Sequence, residues 1–134
     1  MEFEPDVLTN RSLYATLVLE TDSIPLQTRD FVDESGRSPF ADWRRSLARE
    51  DQIRIEHRIA RLESGNLGDW RPIGEGVVEL RLDYGPGYRI YIGRQSLQTV
   101  FLLGGGNKST QEKDIRVARA RWAQFRRRSR ADLG

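Results

Sequence analysis

The sequence predicts an α+β fold, a helical hairpin packed on a twisted antiparallel sheet with a C-terminal helix. Three observations carry this expectation. Residues 77–103 hold three short apolar or alternating runs separated by turn-forming residues, the signature of an antiparallel meander. Ahead of them, Phe40, Trp43 and Leu47, then Ile55, Ile59 and Leu62, recur at spacings of three and four. Behind them, Ile115, Ala118, Trp122 and Phe125 repeat that helical period.

The elements follow in the order β, α, α, β, β, β, α. Residues 1–22 form an extension, with strand-like content at 13–20. Residues 24–32 read as the first core strand. Ser38 caps the first helix and Pro39 suits its first turn. The second helix covers about 51–63 and stops at Ser64, Gly65 and Asn66, where glycine accepts the left-handed conformation of a helix end. In the strand at 77–82, Val78, Leu80 and Leu82 face one way, and Val77, Glu79 and Arg81 the other. Residues 83–87 are a turn with two glycines and a proline. Arg89 and Tyr91 then share one face of the strand at 88–92. Residues 97–103 read as a buried central strand, broken by Gly104, Gly105 and Gly106. Thr110 caps the last helix. Its apolar stripe docks on the sheet, and its other face carries Arg116, Arg119, Arg121, Arg126, Arg127 and Arg128. The domain spans 23–128, with a short tail at 129–134.

Composition narrows the function classes. The chain has 134 residues, enough for one domain with its own core. It has no cysteine, so disulfides and zinc–thiolate sites are excluded. Its carboxylates have no partners at metal-ligand spacing, so no metal or other cofactor is expected. The acidic start lacks a signal-peptide pattern, and no apolar run suits a membrane span, so a cytoplasmic protein without membrane contact is expected. Charge is uneven: residues 1–35 hold eight acidic and two basic side chains, residues 111–134 eight basic and three acidic. A basic body behind an acidic head suits a polyanionic partner.

Three blocks carry a resemblance. They are GRSPFADW at 36–43, GNLGDWRPIGEGVVELRLDYGPGYRIYI at 65–92 and LLGGGNKSTQEKDI at 102–115. In this order and spacing the chain resembles the RelE/ParE superfamily of toxins from type II toxin–antitoxin modules, in the HigB-related branch of addiction-module killer proteins. The resemblance spans about residues 24–125 and leaves the extension outside. It implies a toxin neutralised by a cognate antitoxin, often a helix-turn-helix DNA-binding protein. It also implies a metal-independent endoribonuclease that binds the ribosome, cuts mRNA and inhibits translation. The ParE branch implies a non-enzymatic inhibitor of DNA gyrase instead. An inactive member that only binds its antitoxin is a third expectation, since the acidic extension could cover the basic face. Fold resemblance does not choose among these.

RNA cleavage by internal transesterification needs a base, cations around the phosphate and an acid. The single histidine, His57, rules out a histidine pair within one chain and reads as structural or surface. Arg81 and Arg89, on adjacent strands and away from the apolar face, can grip a phosphate with two guanidinia. The resemblance places basic residues at comparable positions. Arg89 paired with Glu79 as an ordinary cross-strand ion pair is the plain alternative. Glu79 is either the base or the counter-ion that orients the arginines; a carboxylate between two cations has its pKa lowered, which favours the counter-ion. Here the sequence departs from mRNA-cleaving members with lysine at this position. Tyr91 can stack on a base or donate a proton, or simply pack. Lys108, after the glycines, adds a point charge to a loop that can approach phosphate.

Overall fold

The structure is a computed structural model and describes residues 25–133. Its elements are β1 (Gln27–Asp30), α1 (Pro39–Arg45), α2 (Arg49–Glu63), β2 (Trp70–Pro72), β3 (Val77–Arg81), β4 (Arg89–Arg94), β5 (Thr99–Gly106), a 3₁₀ turn (Lys108–Thr110) and α3 (Gln111–Leu133). The class is α+β. One sheet runs β1-β5-β4-β3-β2. The extension at 1–22, its strand-like run at 13–20 and the start of the first expected strand lie outside the described residues.

Local chemistry explains where the elements start and stop. The Ser38 hydroxyl accepts a hydrogen bond from the Ala41 amide at 3.1 Å, and Pro39 opens α1. Helix α2 ends at Ser64, and Gly65 follows with φ 97°. The Asn107 side chain caps the 3₁₀ turn, and Thr110 completes a reciprocal capping box by accepting from the Asn107 amide. Thr110 is thus part of the cap rather than the cap itself.

The sheet is buried on both faces. Phe40, Ile55 and Leu62 from the α1–α2 side pack on Val78, Leu80, Ile90, Ile92, Val100 and Leu102. On the opposite face Ala118 and Trp122 of α3 pack on Val77, Tyr91 and Leu103. Each aliphatic side chain so buried contributes roughly 1.5–3 kcal/mol. Buried on both faces, the central strands need apolar residues at nearly every position. The Glu79 face of the meander carries polar residues in the sequence, and α3 covers it.

Several expectations are corrected. The sheet is mixed, not wholly antiparallel: β1 pairs parallel with β5, Gln27 opposite Thr99. Strand β2 is an added edge strand, with Arg71 opposite Glu79. The three glycines do not break β5; they are its last residues. A Cβ on Gly105 would lie 2.3 Å from the Trp43 ring, and one on Gly106 would collide with the Asp114 carboxylate. Glycine is there because neighbours sit on the backbone. A bulge puts Ile92 opposite Leu102 but Tyr91 opposite Gly104. Helix α3 continues to Leu133, through the expected tail. Part of its arginine face is engaged by the chain's own backbone. Arg119 donates to the Ile73 carbonyl, Arg121 to Leu103, Arg126 to Glu75 and Arg128 to Val32, while Arg116 and Arg127 are exposed.

Candidate functional site

Glu79 is fully buried and lies at the centre of the site. Strand alternation turns it toward α3, and four neighbours meet it there. Arg71 Nε donates to Oε1 at 2.9 Å, and Arg81 Nε to the same oxygen at 3.4 Å. The Tyr91 hydroxyl donates to Oε2 at 3.1 Å, and Gln111 Nε2 at 2.9 Å. Arg89 Nε stands 3.9 Å from Oε2, beyond hydrogen-bond reach. Three guanidinia therefore surround one carboxylate, an excess of two positive charges.

The electrostatics follow from that geometry. Burial pushes the Glu79 carboxyl up, but the hydrogen bonds from Arg71 and Gln111, the Arg71 charge and the Tyr91 hydroxyl outweigh it and hold the group below its ordinary value. Tyr91 moves the other way: burial, then the Glu79 charge and its hydrogen bond, keep the phenol protonated far into alkali. Neither group is tuned toward neutral pH, where general acid–base chemistry works best.

The arginines differ in freedom. Arg71 and Arg81 side chains are 40% and 38% exposed, so both reach solvent while holding Glu79. The Arg89 side chain is 11% exposed. Its Nη1 donates to the Gly87 carbonyl at 2.6 Å, and its Nε is buried without a hydrogen-bond partner. Arg81 and Arg89 are direct register partners. Two cations so placed repel unless something negative lies between them.

Lys108 comes to the same end of the sheet. Its amide donates to the Pro86 carbonyl at 3.3 Å, which sets the 3₁₀ turn against the β3–β4 loop. Gly87 lies between the Arg89 guanidinium and the base of the Lys108 side chain: a Cβ there would be 2.9 Å from Arg89 Nη1 and 3.4 Å from Lys108 Cβ. With φ 76°, this position also favours glycine by its backbone alone.

With that geometry in hand, comparison with known proteins gives a clear relative. An uncharacterized protein of Haemophilus influenzae is 44% identical over 81 residues, covering 60% of this chain and 82% of that protein. The chain belongs to the family of this Haemophilus protein. No family model matches the chain. No solved structure matches it.

In this family member the five residues singled out from sequence gather in one region. Glu79, Tyr91, Arg81 and Arg89 form one contact set, and Lys108 joins through Gly87. Tyr91 is only 1% exposed, so its hydroxyl serves Glu79 and not the surface. His57 lies apart, exposed on α2. Sequence reasoning missed Arg71 and Gln111. The signal for Arg71 was the Gly74-Glu75-Gly76 run, which makes a tight hairpin between Ile73 and Val77 and folds Arg71 back opposite Glu79. Gln111 carried no such signal, because a helix start meets this strand only through the tertiary fold. Among the described residues, no helix is long and apolar enough to cross a membrane.

Proposed function

We propose that this chain is a RelE/ParE-type toxin that cuts mRNA on the ribosome and is silenced by a cognate antitoxin. The carrying observation is the opposed pair Arg81 and Arg89, held by a buried Glu79, with a buried Arg89 N–H lacking a partner. An anionic phosphodiester between the two guanidinia relieves their repulsion.

In the step envisaged, the ribose 2′-oxygen attacks the adjacent phosphorus and the bond to the 5′-oxygen breaks. A 2′,3′-cyclic phosphate and a 5′-hydroxyl result. The 2′-OH proton passes to water and the leaving oxygen takes one back. Arg81 and Arg89 stabilise the charge that grows on the phosphate, and Lys108 adds to that field. Glu79, Arg71 and Gln111 act as positioning residues, and Tyr91 locks the Glu79 carboxylate. The chain thus contributes charge and orientation rather than a tuned base.

That same feature favours a second reading. Glu79 is held ionised and Tyr91 protonated, an arrangement that also suits a toxin that binds without chemistry, such as a gyrase inhibitor. A purified translation reaction with mRNA ends mapped by primer extension decides between them. New ends that require ribosomes support cleavage. Intact mRNA with blocked DNA supercoiling supports the inhibitor.

A further inference from the structure

A second basic feature lies beside the site, on the α1–α2 flank. Arg54, His57, Arg58 and Arg61 recur at spacings that put them on one stripe of α2. With Arg81 and Tyr84 they line a cleft of about 400 Å³. Its lining holds four guanidinia against the carboxylates of Asp69 and Asp83.

Arg58 is the unusual group. It is 4% exposed. Its Nη2 donates to the Leu67 carbonyl and, at 3.4 Å, to that of Asp69. Its Nη1 is buried and has no hydrogen-bond partner. Such a donor calls for an acceptor. Burial, and then the neighbouring Arg61 charge, lowers Arg58 to about 10. Gly68 shows how closely the two approach: a Cβ there would lie 2.9 Å from Arg58 Nη2 and 3.2 Å from Arg61 Nη2. The arrangement is one that an added anion stabilises. The Arg54 guanidinium also lies 4.2 Å over the Tyr84 ring, a cation–aromatic pair beside which a base can stack.

We infer that this cleft is a nucleotide subsite for single-stranded RNA, with a phosphate on Arg58 and Arg61 and a base on the Arg54–Tyr84 stack. Arg81 joins the two places: it lines the cleft and also contacts Glu79. An RNA strand whose scissile phosphate lies between Arg81 and Arg89 therefore enters the cleft with a neighbouring nucleotide. The choice of RNA rests on the cleavage reading above; the cleft itself rests on Arg58. An acidic peptide would match the charge but leave the aromatic stack unused.

The test is a titration of the full chain with a fluorescent, 2′-O-methylated oligo(U), which binds but cannot be cut. Arg61→Gln weakens binding about ten-fold, the scale of one lost charge-assisted hydrogen bond, with the thermal midpoint unchanged. Tyr84→Leu weakens it several-fold by removing a stacking surface. Arg58→Gln also removes the Leu67 bond, so the exposed Arg61 carries the test. Unchanged affinity in both Arg61→Gln and Tyr84→Leu overturns the subsite. So does oligo-glutamate competing as well as oligo(U), which assigns the cleft to an acidic peptide. Inorganic phosphate competing equally per phosphate assigns it to a free anion and overturns it too. If both variants weaken binding yet the wild type cuts no RNA, the subsite stands and the cleavage reading falls. Binding lost in Arg89→Ala but not in Arg61→Gln or Tyr84→Leu does the reverse.

Discussion

Arg81 and Arg89 face each other across neighbouring strands, and the Glu79 carboxylate stands 3.4 Å from one and 3.9 Å from the other. One buried anion thus orients two like charges without neutralising them, since Arg71 draws on the same carboxylate at 2.9 Å. The leftover positive charge is the property on which the proposed chemistry depends.

Replacing Arg89 with Ala removes one of the two opposed guanidinia. Ribosome-dependent cleavage is expected to fall about 100-fold, the usual loss when one charge-stabilising donor is deleted. Arg89→Lys recovers little, because an ammonium lacks the planar fork that binds the Gly87 carbonyl through one nitrogen and leaves another for the phosphate. Primer-extension yields over a time course check this. Full cleavage by a folded Arg89→Ala protein removes the site assignment.

Glu79→Gln strips the arginines of their shared anion. Stability is expected to drop by roughly 3 kcal/mol, the low end for a broken buried pair, because Arg71 and Arg81 reach water. The pH dependence gives a sharper reading. The Glu79 carboxyl sits below its ordinary value of 4.5 in the fold. Its stabilisation is therefore complete above that value and lost as pH falls through the lower folded one. Urea unfolding at a series of acid pH values shows this loss in the wild type and a flatter profile in Glu79→Gln. Equal profiles contradict it.

Tyrosine ionisation provides an independent probe. The Tyr88 hydroxyl donates to Asp51 at 2.5 Å, and this bond, with burial, raises the phenol to about 12. Tyr91 is raised by burial and the Glu79 charge. A raised folded value means stability present below the ordinary value of 10 and lost as pH climbs toward 12. Absorbance at alkaline pH should show these two phenols ionising late, together with unfolding. Glu79→Gln moves Tyr91 earlier and leaves Tyr88 in place. Ionisation of both near their ordinary value in a folded chain rules this out.

Gly105→Ala tests the packing of α1. The added methyl would meet the Trp43 ring at 2.3 Å, with no flexible chain end to move aside. Overpacking of this kind costs about 1–3 kcal/mol. Gly36→Ala has open space around it but a φ of 83°, so its cost is conformational and smaller. Thermal midpoints of the two variants should rank in that order.

The readable parts of the fold were those set by local chemistry. Ser38-Pro39 ahead of an apolar residue at helical spacing marks a helix start, and the Gly85–Gly87 turn joins two strands whose alternation predicts their partners. The Ile115, Ala118, Trp122 and Phe125 stripe likewise predicted its own docking. What escaped depends on distant partners. Strand β1 pairs with residues about seventy positions away, and nothing within Gln27–Asp30 says that the pairing is parallel. Strand β2 has three residues and ends in proline, too short for a period to appear. Residues 104–106 read as a break because glycine is poor in strands; Trp43 and Asp114, which require glycine, come from elsewhere in the chain. At the site, the opposed arginines were legible from alternation, but the depth of Glu79 was not, because α3 covers it only in the folded chain.

Where β5 carries only glycine, the wall between the two halves of the molecule is one peptide thick. Trp43 leans on it at Gly105, while Arg121 and Asp114 approach Gly104 and Gly106. No side chain is there to act as padding. The helix that carries Trp43 and the helix that holds Gln111 against Glu79 therefore meet on the same three glycines.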